Sequence, residues 1–191
     1  AFLMGSPVKS AFALLLTRVT EPRTSKFMRL EVYIMQRTIS AMVGKGSVNH
    51  NSRKFKAENV DGSRTHLNID YCNEPIKKIY HELFDEALKR YNEKQTRADR
   101  RIENYYEKIR NSKQEKPFHE LILQIGDKGN MSAESENGQL ARQVLDEYYR
   151  EFQERNPNLK VFSAHLHMDE ATPHLHIDFV PFTTAVSYTH L

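Results

Sequence analysis

The tightest constraint on this chain lies between residues 165 and 178, where His recurs at alternate positions on both sides of a short break. Successive side chains of a strand point to opposite faces. Residues 159–169 therefore read as a strand with His165, His167 and Asp169 on one face, and Phe162, Ala164, Leu166 and Met168 on the other. Residues 174–181 read as a second strand, with His174, His176 and Asp178 opposite Leu175, Ile177 and Phe179. Glu170-Ala171-Thr172-Pro173 joins the two. Paired as a hairpin, the apolar faces meet covering helices, and the imidazoles gather on the side away from them with cross-strand Cβ atoms about 5 Å apart. Three neutral imidazoles on a rigid sheet can hold a divalent cation and leave coordination positions open, which is the arrangement of a catalytic site. The single cysteine, Cys72, allows neither an internal disulfide nor a thiolate cluster, so a metal here needs His and carboxylate ligands.

The rest of the chain supplies the frame. Residues 30–39 have strand composition around Val32, Tyr33 and Ile34, and lead into a Gly44-Lys45-Gly46-Ser47 loop. A short strand is expected at 65–71, where Leu67 and Ile69 alternate with His66, Asn68 and Asp70. Pro75 opens a helix whose stripe is Ile76, Ile79, Tyr80, Leu83, Phe84, Ala87, Leu88 and Tyr91. Thr96 with Asp99 reads as a capping pair for a second helix, striped by Ala98, Ile102, Tyr105, Tyr106 and Ile109. Residues 118–125 form a largely buried strand closed by Gly126-Asp127-Lys128-Gly129. A third helix is expected at 139–155, with Leu140, Val144, Tyr148 and Phe152 at four-residue intervals, stopped by Asn156-Pro157-Asn158. Strands and helices mix without the regular alternation of a parallel sheet, so the expected class is α+β: a central antiparallel sheet with helices packed on one face.

With 39% hydrophobic and 28% charged residues in 191, the composition fits one globular domain and not a disordered chain. Residues 1–27 read as an upstream extension, 28–184 as the domain, and 185–191 as the tail of a truncated chain. The apolar run at 11–16 is far short of the roughly 20 residues that span a membrane, and it lacks the flanks of a signal peptide. No membrane segment and a reducing cytoplasm are therefore expected. Residues 1–73 hold 11 Lys/Arg against 5 Asp/Glu, a surplus suited to phosphates, whereas residues 157–191 hold 1 against 3, which suits a cation.

His167-Met168-Asp169-Glu170-Ala171-Thr172-Pro173-His174-Leu175-His176 matches H-x-D-E-x-x-P-H-x-H and resembles the metal-binding motif of the Mob/Pre (MobV-type) plasmid mobilisation and recombination relaxases. Two further segments agree in order. His50-Asn51-Ser52-Arg53 resembles the family's H-N-x-R motif, and Gly62-Ser63-Arg64-Thr65-His66-Leu67-Asn68 resembles its S-R-x-H-L-N segment. The resemblance covers residues 33–182 and implies an HUH endonuclease fold, in which a central antiparallel sheet bears the paired histidines. By the same resemblance His167, His174 and His176 would be the metal ligands, for Mn²⁺ or Mg²⁺, and Glu170 a catalytic carboxylate beside them. His165 departs from the motif and is left out of the ligand set.

The resemblance further implies nicking of single-stranded or hairpin DNA at a plasmid transfer origin, with the protein left on the 5′ phosphate. His50 stands where the attacking group is expected, giving a phosphoramidate; Tyr33 is the reserve nucleophile. Arg53 and Arg64 can each offer a bidentate fork to phosphate, and Asn68 can hydrogen-bond a ligand or the DNA. Tyr105, Tyr106, Tyr148 and Tyr149 sit at helical spacing, which favours core packing over base stacking. Two alternatives stay open: a replication initiator or transposase of the same superfamily, and a non-catalytic metal-stabilised DNA-binding module. The H-N-x-R motif ahead of the His cluster, in place of a Tyr-bearing helix after it, favours the relaxase.

Overall fold

The computed structural model describes residues 38–183, apart from Lys56 and Asn130. Five strands form one antiparallel sheet: β1 (Ile39–Val43), β2 (Ile69–Asn73), β3 (His119–Ile125), β4 (Leu159–His167) and β5 (His174–Pro181), in the order β1-β3-β5-β4-β2. The histidine hairpin β4–β5 is the middle of the sheet. Its register sets His165 against His176 and His167 against His174, as the period-2 pattern requires.

On the apolar face, Leu121, Leu123 and Ile125 of β3 join Leu166 of β4 and Leu175, Ile177 and Phe179 of β5. They are covered by α4 (Glu136–Arg150) and α5 (Phe152–Arg155) through Ala141, Leu145, Tyr148 and Phe152. Each large apolar side chain so buried contributes about 1.5–3 kcal/mol. The helix begins earlier than residue 139 because the Ser135 hydroxyl accepts the Gly138 N–H at 3.0 Å and caps it. Its buried stripe is Gly138, Ala141, Leu145 and Tyr148, with Leu140 and Val144 only half-buried. Gly138 lies so close to the Ser132 carbonyl that a Cβ there would overlap it, and this approach sets the helix rotation.

The α+β class and the central antiparallel sheet are as the sequence predicts, but the helices are not confined to one face. The register of β4 shifts between Val161 and Ser163, so Phe162 is the extra residue of a β-bulge. Expected on the apolar face, Phe162 instead packs with Val180, Ile79, Tyr80 and Ile109, edge-on to Phe118 at 5.2 Å. α2 (Ile76–Glu93) and α3 (Tyr105–Arg110) thereby cover the histidine side of the sheet, at the end of the strands away from the histidines.

The second helix expected from Thr96 is broken. A 3₁₀ turn spans Ala98–Arg100, and Asn92 then binds both backbone groups of Ile102, at 2.9 and 2.8 Å, holding the chain out of a helix until Asn104 caps α3. Arg97 pairs with Asp99, so Thr96 caps nothing. Tyr105 and Tyr106 pack on Tyr80, Tyr148 is buried, and Tyr149 stacks on Tyr71 at 3.9 Å, in keeping with a packing role. The first expected strand, at 30–39, lies outside the described residues except for its last two positions; β1 takes up from Ile39. The strand expected at 65–71 starts only at Ile69, behind a 3₁₀ turn at Thr65–Leu67. Among the described residues no helix is long and apolar enough to cross a membrane.

Candidate metal centre and active site

The three imidazoles predicted as ligands come together. The ring centroids of His167, His174 and His176 form a near-equilateral triangle of 5.1, 4.9 and 5.0 Å, and one nitrogen of each lies within 4.8 Å of the others. Outside the triangle each ring has an acceptor that fixes its tautomer. His167 Nε2 donates to the Asn51 carbonyl at 2.7 Å, His174 Nδ1 to the Thr172 carbonyl at 2.9 Å, and His176 Nδ1 to Glu120 Oε1 at 2.7 Å. The lone pairs are thus left on His167 Nδ1, His174 Nε2 and His176 Nε2. Burial first, and then the Arg53 charge and the crowding of the neighbouring rings, push the His167 ring down to about 2, and burial lowers His174 as well, so both are neutral and ready to ligate. His176 Nε2 is buried without a hydrogen-bond partner. Such an atom costs about 1–3 kcal/mol when left unsatisfied, and a divalent cation in the triangle would satisfy it.

His165 is buried beside this group but stays out of it. Its Nδ1 is 2.6 Å from Asp70 Oδ1 and its Nε2 3.2 Å from Ser163 Oγ, so both ring nitrogens are occupied.

Behind His176 stands a residue the sequence reading passed over. Glu120 is buried in β3 and accepts from His176, from the Gly46 N–H at 2.7 Å and from Asn51 Nδ2 at 2.7 Å. Burial alone would raise its carboxyl; those three donors hold it below the usual range. Asp178, opposite it in register, is raised to about 6 by burial and by the Glu120 charge. The available signal was a lone carboxylate in a largely buried strand, since a buried charge requires partners. Gly44 is needed here because a Cβ at that position would overlap the Glu120 carboxylate.

Short helix α1 (Val48–Asn51) carries His50 and is followed by Arg53, whose φ of 52° turns the chain sharply. Arg53 Nε and NH2 reach Asp169 at 3.1 and 2.5 Å, and NH2 also reaches Glu170 Oε1 at 2.8 Å. Asp169 accepts in addition from Thr65 Oγ1 at 3.0 Å and Asn68 Nδ2 at 2.8 Å. Burial opposes ionisation of Asp169, but these donors win and hold it at about 2. Asn68 Oδ1 accepts the Met168 N–H at 2.7 Å, so both polar ends of that side chain brace the motif. Arg64 NH1 donates to the Met168 carbonyl at 3.2 Å, and its Nε to Asp61 at 3.1 Å. The three residues expected to meet DNA are thus gathered around the turn at 168–170. This is also why residues 65–68 are not strand: they wrap onto Asp169.

His50 faces the triangle. Its ring centroid is 6.4 Å from those of both His167 and His176, and its Nε2 is 3.6 Å from Glu170 Oε1. A quarter of its side chain is open to solvent. Glu170 Oε1 lies between the Arg53 guanidinium and the His50 and His174 rings, 3.7 Å from His174 Nε2, while Oε2 accepts from Asn59 at 2.7 Å. Tyr33 lies outside the described residues.

Comparison with curated proteins finds no match. Among solved structures, the chain is similar to the MobM relaxase domain (MOBV; Mob_Pre) bound to plasmid pMV158 oriT DNA with Mn. One such crystal structure, at pH 5.5, has 23% identity and a TM-score of 0.48, over 78% of this chain and 74% of that one. Another, with a 3′-thiophosphate strand at pH 6.8, has 22% identity and a TM-score of 0.43 over the same shares. The family of plasmid recombination enzymes, Mob_Pre, matches residues 35–187. That span is most of the sequence, and the chain belongs to this family.

Proposed function

We propose that the chain is a relaxase that nicks one strand at a plasmid transfer origin and remains attached to the 5′ phosphate. The observation that carries this reading is His50 facing three convergent, tautomer-fixed imidazoles, with Glu170 between them. A lone pair of the His50 ring attacks the scissile phosphorus, a P–N bond forms, and the P–O3′ bond breaks. The departing 3′ oxygen takes a proton, and the ring sheds its own, for which Glu170 Oε1 is the nearest carboxylate. Retaining the phosphoryl bond in a phosphoramidate allows the strand to be rejoined. Mn²⁺ or Mg²⁺ held by His167, His174 and His176 would supply positive charge at a non-bridging phosphate oxygen. Arg53 and Arg64 add positive charge beside the strand while they hold the 168–170 turn, and Asn68 fixes that turn against them. A cytoplasmic setting, where plasmid DNA resides, belongs to the same reading.

The test is incubation of the protein with single-stranded transfer-origin DNA and Mn²⁺. The expected products are a fragment with a free 3′ hydroxyl and a protein–DNA adduct on the 5′ phosphate, both lost in His50→Ala. Cleavage to two free ends, or an adduct that survives in His50→Ala, would contradict the reading. Binding of origin DNA with no cleavage would make the domain a DNA-binding module instead.

A further inference from the structure

Phe55 is the one exposed Phe or Tyr among the described residues, with 52% of its surface open to solvent. A single exposed apolar side chain is ordinary on a protein surface. Its position is not ordinary. The left-handed turn at Arg53 and the bond from the Lys54 N–H to the Asn49 carbonyl, at 3.0 Å, fold the chain back on α1. This leaves the Phe55 ring 5.8 Å from the His50 ring, tilted by 49°. The turn is held from the other side by the Arg53 contacts to Asp169 and Glu170, so the ring stands on a fixed support. Lys54 is exposed beside it, and Lys56 follows in sequence. An aromatic face between basic residues suits single-stranded nucleic acid, because every base has a π-face and the cations follow the backbone.

We propose that Phe55 is a stacking platform for a nucleobase next to the scissile phosphate, fixing the strand so that this phosphate lies over His50. The inference rests on the relaxase reading and adds the side chain that holds the base. Stacking of one base typically makes a difference near tenfold in affinity. The chain contains no Trp, so Phe55→Trp places a single indole at the position. The probes are a labelled oligothymidylate of about twenty nucleotides and an abasic strand of the same length and charge, followed by anisotropy with Mn²⁺ present. The expected result is tighter binding of the oligothymidylate by wild type and Phe55→Trp, with about a tenfold loss in Phe55→Ala and no loss for the abasic strand. Indole emission of Phe55→Trp should be quenched by the oligothymidylate and not by the abasic strand. Binding with unchanged emission, or equal affinity of wild type and Phe55→Ala for the oligothymidylate, overturns the stacking role and leaves the relaxase reading standing. Failure of wild type to bind either strand overturns the stacking role, while the relaxase reading is decided separately by cleavage of origin DNA.

Discussion

Arg53 donates to both carboxylate oxygens of Asp169, and this clasp ties the segment that carries His50 to the turn that leads from His167 to His174. The Asp169 carboxylate is fully buried, so its charge is tolerated only through the donors around it. The proposed nucleophile and the candidate metal ligands come from segments more than a hundred residues apart, and the clasp sets their separation.

Removing one partner strands a buried charge. Arg53→Ala should lower the free energy of unfolding by about 3 kcal/mol, read from urea denaturation. In a double-mutant cycle with Asp169→Asn, the two changes should be strongly non-additive. A loss below about 0.5 kcal/mol would mean that Arg53 is held by something other than this pair.

Glu120 orients His176, and residues that orient a metal ligand typically contribute 10–100-fold to affinity. Glu120→Gln should weaken Mn²⁺ binding by about that factor in calorimetry. Gly44→Ala should act in the same direction, since its Cβ would displace the Glu120 carboxylate. Unchanged affinity in both variants would remove Glu120 from the support of the site.

Alkaline stability follows from the phenols. Burial, and then the neighbouring Asp146, raise Tyr71 above its ordinary value of 10.0; burial and the Cys72 contact raise Tyr149. A folded-state value above the unfolded one means the stabilisation is complete below about pH 10 and is lost as pH rises toward the folded-state values. The urea midpoint should therefore fall as pH rises above about 10, and Tyr71→Phe should flatten that fall. A midpoint independent of pH over this range would contradict the phenol environments described.

The hairpin was legible because its signal is local: alternation of His with Leu, Ile and Met dictates strand, face and register together. The convergence of His167, His174 and His176 follows from it directly. What was not legible came from single-residue events and distant partners. The bulge at Phe162 leaves no mark in the alternation, yet it moves a large ring to the other face and brings α2 and α3 with it. The break before α3 depends on Asn92 reaching Ile102, ten residues on. Glu120 is the one carboxylate in a largely buried strand, and its role appears only where β3 lies beside β5. The bonds from Arg53 and Asn68 to Asp169 were not legible either, because they span sequence separations that no local pattern encodes.

The central claim is that His50 is the attacking group, and the covalent adduct reports it directly. Tryptic cleavage after Lys45 and Arg53 releases residues 46–53, a peptide with His50 as its sole histidine and no tyrosine. After reaction with origin DNA and nuclease trimming, with acid avoided because phosphoramidates hydrolyse in it, mass spectrometry should find the nucleotide on this peptide. A nucleotide carried by a tyrosine-containing peptide, with 46–53 unmodified, would contradict the account.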